Sequence, residues 1–220
     1  MAVDATGRPV MTPGHGARQR CTGVVLAGGP ATRFGGRPKG LERVDGVRII
    51  DRVAAALRET TDELLLVAND PDAASWLPGV RVASDPRPAS GSLGGIYAAI
   101  MRASTPVLVV AWDMPFVPPG LLQALRALGE QGFDVAVPCG DAAHGLEPLC
   151  AYYTPACLTA IEHRLDEGDL RAISFYRDVR VAQLDAEAVA RFGDPVRTFL
   201  NINTPDDLLR AGHRAAHSAI

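Results

Sequence analysis

The chain has only four cysteines, Cys21, Cys139, Cys150 and Cys157, and no two of them form a C-x-x-C pair or stand at zinc-ligand spacing. That removes a disulfide scaffold and a structural zinc site from consideration. Reduced thiols are expected instead, as in a cytoplasmic protein. No apolar run approaches the ~20 residues that a membrane-spanning helix needs. Met1 to Arg20 contain glycine, proline and polar residues but no hydrophobic stretch of the secretory type, and are expected to form a mobile arm. A net charge of −3 and a pI near 5.9 leave no basic footprint, so no nucleic-acid partner is expected. There is no internal repeat and no low-complexity tract. A Ser–His nucleophilic constellation is missing too. His15 and His217 lie near the termini and His163 and His213 on helical stretches, where solvated rings are expected, and only His144 is placed to face a ligand.

What is present is a chain of one-domain size, 220 residues with 47% hydrophobic and 21% charged side chains. Short apolar runs alternate with helical patterns. Strands are expected at Thr22–Ala27, Leu64–Ala68, Val80–Ala83, Val107–Ala111 and Val135–Pro138. Between them, Ile49, Ile50, Val53, Ala54 and Leu57 recur at helical spacing, and Ile96–Ala103 and Pro118–Leu128 also read as helices. This β-α-β-α alternation implies a mostly parallel sheet with helices on both faces, a three-layer Rossmann-like arrangement. The second half is less regular. Strands are expected at Leu149–Tyr153, Val179–Leu184 and Thr198–Ile202, with helices around Ala156–Leu165 and Pro205–Ala211.

The first strand runs straight into Gly28-Gly29-Pro30-Ala31-Thr32-Arg33-Phe34-Gly35-Gly36-Arg37-Pro38-Lys39-Gly40. Glycines let backbone N–H groups turn inward around an anion, and the spaced cations neutralise it. The loop is not a Walker A loop, because Arg37 and Pro38 separate Gly36 from Lys39 and no hydroxyl residue follows. It is not a G-x-G-x-x-G dinucleotide loop either. A plain flexible connection is the competing reading, and the density of glycine with cations argues for phosphate.

Ligands of open α/β sheets bind at the carboxyl ends of the strands. Gly28, Asn69, Asp85 and Asp113 each follow a different expected strand. Asp113, in Asp113-Met114-Pro115, is the metal candidate, since Mg²⁺ takes one or two carboxylates and completes its shell with water and phosphate oxygens. A turn-forming aspartate is the alternative. Lys39 and Arg33 are the cationic partners of a phosphoryl-type transfer that needs positioning and charge neutralisation more than covalent catalysis. Asn69 carries an amide able to read a base or ribose edge, or simply to form a strand-end turn before Asp70-Pro71. Asp85 and Gly94-Gly95 would let a nucleoside approach the backbone, or form no more than a loop and a helix start. Near the C-terminus, Thr204, Pro205, Asp206 and Asp207 are fully explained as a helix start. Asn201 and Asn203 are not, and two residues apart on the expected strand they would share one face.

Taken in order, these segments resemble the molybdenum cofactor guanylyltransferase (MobA) family of the nucleotidyltransferase superfamily. The segments are Leu26-Ala27-Gly28-Gly29 through Lys39-Gly40, Asn69, Asp85, Asp113-Met114-Pro115-Phe116, Glu147-Pro148-Leu149 and Asn201-Ile202-Asn203-Thr204-Pro205. The likeness spans about Thr22 to Ala211. It implies a single nucleotidyltransferase domain over 21–212, nucleotide-binding in its first half and acceptor-binding in its second, with 1–20 as an arm and 213–220 as a tail. It implies GTP and molybdopterin as substrates, Mg²⁺ as cofactor, pyrophosphate as product, and transient contact with cofactor-biosynthesis or acceptor proteins. Leu26, Ala27, Gly28, Gly29, Lys39, Asn69, Asp85 and Asp113 would bind the nucleotide, with Asp113 also on Mg²⁺ and Asn201 and Asn203 beside the acceptor or metal. Ala31 and Trp112 depart from the family pattern, where a serine and a small residue or cysteine are common. A molybdopterin cytidylyltransferase, another small-acceptor nucleotidyltransferase and a non-catalytic nucleotide-binding module are the competing readings.

Overall fold

The computed structural model describes residues 19–28, 38–87, 89–140 and 145–213. The expected arm at 1–20 therefore lies almost wholly outside the described residues, as do Gly29, Ala31, Arg33, His144 and the tail from 214.

Seven strands form one sheet in the order β5-β4-β1-β6-β8-β7-β9, from β1 (Thr22–Ala27), β4 (Glu63–Ala68), β5 (Arg81–Ala83), β6 (Val107–Ala111), β7 (Val135–Pro138), β8 (Cys150–Tyr153) and β9 (Val181–Leu184). All pairs are parallel except those of β8, which runs antiparallel between β6 and β7. The central strands are buried on both faces, as a sheet covered by helices on either side requires. Val25 and Ala27 of β1 face one layer with Leu66 of β4 and Leu108 of β6, while Val24 and Leu26 face the other with Leu65 and Val109. Helices α1 (Ile49–Arg58) and α3 (Pro119–Glu130) cover the first face through Ile50, Val53, Leu121 and Leu125. Helices α2 (Gly91–Ala103) and α4 (Leu158–Asp166) cover the second through Leu93, Ile96, Ile161 and Leu165. The three-layer, mostly parallel expectation is met.

The order of strands places a switch at β1. The chain moves outward from it to β4 and β5, then crosses by α2 to β6 on its other side. The carboxyl ends of β1, β4, β5 and β6 thus open on one crevice, which is where such a sheet binds ligands.

Three local readings change. Helix α2 starts at Gly91, well before Ile96, despite the low helix propensity of Gly94 and Gly95. Contact explains it. A Cβ at Gly95 would lie 2.8 Å from Leu26 Cδ1, and one at Gly94 would lie 2.6 Å from Ser90 Cβ, so glycine is what lets α2 press onto β1 and its own entry loop. A short antiparallel hairpin, β2 (Arg43–Val44) and β3 (Val47–Arg48), precedes α1 and was not anticipated. Finally, Thr198–Ile202 is not a strand. After the short helix α5 (Ala186–Ala190), Asp194 caps another, α6 (Pro195–Thr198), by accepting from Val196 N at 3.1 Å, and 199–203 pass without a ladder into α7 (Pro205–His213). Phe199 and Ile202 are buried as separate anchors, not as one face of a strand.

Candidate active site

Asp113 is held by the end of β6. Ala111 N donates to Leu149 O at 2.8 Å, Trp112 N to Leu26 O at 3.1 Å, and Met114 N closes a turn onto Ala111 O at 3.2 Å. From the other side Ile202 N donates to Asp113 O at 2.9 Å, tying the 199–203 segment to the strand end. The residue is 7% exposed.

Lys39 lies on a single 3₁₀ turn, Lys39–Leu41, between the glycine-rich loop and the β2–β3 hairpin. Its Nζ donates to Asp113 Oδ2 at 2.5 Å and to Asn203 Oδ1 at 2.8 Å. The side chains of Lys39 and Asp113 are only 14% and 10% exposed, so this pair is far less screened than a surface ion pair. Asn203 is positioned by a reciprocal helix start: Asp207 Oδ2 accepts from Asn203 N and Thr204 N at 3.0 and 2.9 Å, and Asp207 N donates to Thr204 Oγ1 at 3.2 Å. The turn carrying Lys39 is seated on Trp112. A Cβ at Gly40 would lie 2.3 Å from Trp112 Cε3, and the Trp112 ring stacks on Trp76 with centroids 5.2 Å apart.

Beyond this cluster lies a cavity of about 510 Å³, within the range that holds small-molecule ligands. Leu26, Ala27, Gly28, Lys39, Asn69, Asp85 and Asp113 all line it. At the end opposite Asp113, Asn69 Oδ1 accepts from Asp85 N at 2.8 Å, and Asp85 Oδ1 accepts from Arg87 N at 2.8 Å. Those bonds leave the Asn69 amide N–H groups and Asp85 Oδ2 as polar groups for a ligand. Gly91 and Ser92, at the amino end of α2, also line the cavity, with Gly95, Leu149 and Trp112. Of these, Gly91 and Ser92 are given no role by the sequence and Leu149 only a place in a family segment, although Gly91 and Ser92 open a helix whose first N–H groups lack intrahelical partners.

Asn201 and Asn203 are held by different partners. The Asn201 amide folds back to donate to Phe199 O at 3.1 Å, while Asn203 reaches Lys39. The strand on which the two amides would share a face does not form, since 199–203 join no ladder. Gly29 and Arg33 lie outside the described residues and are not placed.

The donor set fits a hard divalent cation that brings its own phosphate ligands. Among the described residues no group of three His, Cys, Asp or Glu converges, and Asp113 offers one carboxylate whose Oδ1 has no hydrogen-bond partner among them. Mg²⁺ needs no more from the protein. Burial pushes the Cys21 and Cys157 thiols up to about 12 and raises Cys150 further, and no cysteine is among the described residues lining the cavity. No helix among the described residues is long and apolar enough to cross a membrane.

Residues 23–183 match the family model described as the MobA-like NTP transferase domain. Over 192 residues the chain is 34% identical to the molybdenum cofactor guanylyltransferase of Desulfosudis oleivorans, covering 86% of this chain and 93% of that one. It is 39% identical over 202 residues to a protein of Pelotomaculum thermopropionicum named probable molybdenum cofactor guanylyltransferase, covering 90% and 95%. Among solved structures, molybdopterin-guanine dinucleotide biosynthesis protein A from Archaeoglobus fulgidus superposes with a TM-score of 0.74 at 30% identity, over 89% of this chain and 99% of that one.

Proposed function

The chain belongs to the MobA-like NTP transferase family, and from that premise we propose that it transfers GMP from GTP to the terminal phosphate of molybdopterin, releasing pyrophosphate. The observation that carries the reading is the Lys39–Asp113 pair, a cation and a carboxylate 2.5 Å apart on the wall of a nucleotide-sized cavity at the strand ends. In the transfer, an acceptor phosphate oxygen forms a bond to the α-phosphorus of GTP, and the bond from that phosphorus to the β-bridging oxygen breaks. The acceptor, a phosphate monoester with a second pKa of about 6, is already ionised at neutral pH, so no general base is needed. This agrees with a site without a histidine among its described lining residues.

Asp113 would hold Mg²⁺, which on binding neutralises phosphate charge and orients the leaving pyrophosphate. Lys39 directs a fixed positive charge at the same region, steadied by Asn203. Asn69 and Asp85 lie at the base end, where carboxylate and amide groups suit the N1–H and N2–H₂ donors of guanine. Gly28, Leu26 and Ala27 present backbone to the nucleotide. Arg33 and Gly29 are proposed to join them from the glycine-rich loop.

GTP with Mg²⁺ is expected to raise the melting temperature more than CTP, ATP or UTP. At a hundredfold excess over Kd, binding to the native state alone contributes about 2.7 kcal/mol, which for a chain this long is a shift on the order of 5–10 °C. Pyrophosphate release with molybdopterin over the same four nucleotides tests the reaction itself. Protection and turnover by CTP equal to or above those by GTP would reassign the protein as a cytidylyltransferase.

The asparagines separate under mutation. Asn203→Ala removes one of two acceptors on the Lys39 ammonium and is expected to lower molybdopterin-dependent turnover about tenfold, the scale of one hydrogen bond to a charged group. Asn201→Ala loses a bond to Phe199 O alone and should stay within about threefold. Equal effects would place both amides at the acceptor.

A further inference from the structure

Arg87 lies just outside the cavity lining yet is tied at two points to the loop that contributes Asp85 and Ala89 to it. Its backbone N–H donates to Asp85 Oδ1 at 2.8 Å, and its carbonyl accepts from Ser90 N at 3.2 Å. Its side chain reaches α4. Nη1 donates to Asp166 Oδ1 at 2.6 Å, and the guanidinium sits over the Tyr97 ring, 5.6 Å from the centroid. Tyr97 is itself fixed, 7% exposed, with its hydroxyl donating to Glu162 Oε1 at 2.5 Å. One residue thus spans from the base end of the cavity to the helix layer behind it.

The loop it holds does not sit there at no cost. Ala89, which lines the cavity, has φ +74°, a left-handed conformation that an L side chain rarely adopts. Such a conformation persists where its surroundings over-determine it. Gly94 crowds the same loop from below, since a Cβ there would lie 3.0 Å from Asp85 Oδ2 and 3.3 Å from Arg87 O. Yet the Arg87–Asp166 pair is exposed, 36% and 67% at the side chains. An ion pair of that exposure contributes little to overall stability. Its effect is therefore local, on where the Asp85 loop rests.

We propose that Arg87 is a positioning residue for recognition of the base: clamped between Asp166 and the Tyr97 ring, it holds the Asp85 carboxylate at the cavity edge where the donors of a guanine would meet it. This rests on reading the cavity as a guanine nucleotide site. Arg87 touches no reacting atom, so loosening it should change affinity and base discrimination and leave the chemical step alone.

The test measures Kd for GTP with Mg²⁺, by titration against the fluorescence of Trp76 and Trp112, and KM and kcat for GTP in the molybdopterin-dependent reaction. The variants are Arg87→Ala, Asp166→Asn, the double variant and Arg87→Lys. Arg87→Ala is expected to raise Kd and KM about five- to tenfold with kcat within twofold, and to lower the preference for GTP over inosine triphosphate, which lacks the 2-amino group. Asp166→Asn should reproduce most of this, the double variant should be no worse than Arg87→Ala, and lysine should restore part of it. Melting temperatures should stay within about 3 °C. A fall in kcat at unchanged Kd, additive single effects, or an unchanged GTP-to-inosine ratio would each overturn the clamp. A wild-type protein that binds GTP but releases no pyrophosphate with molybdopterin would instead overturn the proposed reaction and leave the clamp to be judged on Kd. A wild-type protein that binds no GTP overturns both.

Discussion

Asp113→Asn is expected to lower turnover by about a thousandfold while the protein stays folded. The substitution keeps the side chain's shape and the backbone bonds around it, including Ile202 N to Asp113 O at 2.9 Å. An amide oxygen can still accept from Lys39, whose ammonium also keeps Asn203. What is lost is the negative charge that would hold Mg²⁺ on the phosphates, an interaction worth several kcal/mol in the transition state. About 4 kcal/mol is about a thousandfold in rate. Pyrophosphate release over a Mg²⁺ titration, beside circular dichroism of the same preparation, measures both halves of the expectation. Near-normal activity at low Mg²⁺ in a folded Asp113→Asn protein would remove Asp113 from the metal.

The core of the fold was legible because its strands are short apolar runs bounded by turns. Thr22–Ala27, Val107–Ala111 and Val135–Pro138 have the same limits in sequence and structure. The hairpin before α1 has an equally readable signal: Val44-Asp45-Gly46-Val47 is an Asp-Gly turn between β-branched residues, and Asp45 and Gly46 take φ +51° and +79°. Thr198–Ile202 resembles a strand in sequence without forming one. Its apolar and polar residues alternate, but Asp194-Pro195 starts a helix upstream and Thr204 through Asp207 starts another downstream. The residues between them join no ladder, and Ile202 N donates instead to Asp113 O, just past the end of β6.

The site was legible to the extent that it depends on strand ends. Gly28, Asn69, Asp85 and Asp113 could be brought together from the sequence because parallel strands deliver their carboxyl ends to one crevice. Contacts made by irregular segments had no such rule behind them. The bond from Lys39 to Asn203 joins residues 164 apart along the chain. The seat of Gly40 on the Trp112 ring depends on how a single turn packs. In sequence, Trp112 is distinguished only as a departure from the family pattern. In the structure it is a platform, stacked on Trp76 and in close contact with Gly40.

Lys39→Ala is expected to slow the reaction by about 10²–10³, the scale measured when one pre-positioned electrostatic group is removed from a site of charge development. Lys39 Nζ has three N–H donors, and Asp113 and Asn203 take two of them, which leaves the third for a phosphate oxygen. The same substitution deprives Asp113 of its ammonium partner, so the free variant should melt below the wild type. Added Mg²⁺ should then raise the melting temperature of Lys39→Ala more than that of the wild type, because in the variant the carboxylate has no cation of its own. Arginine should not substitute, since its planar fork is wider than an ammonium and Gly40 already presses on the Trp112 ring beneath the turn. The opposite pattern, a lower melting temperature with unaltered kinetics and no added response to Mg²⁺, would make Lys39 a structural partner of Asp113 and take it out of the reaction.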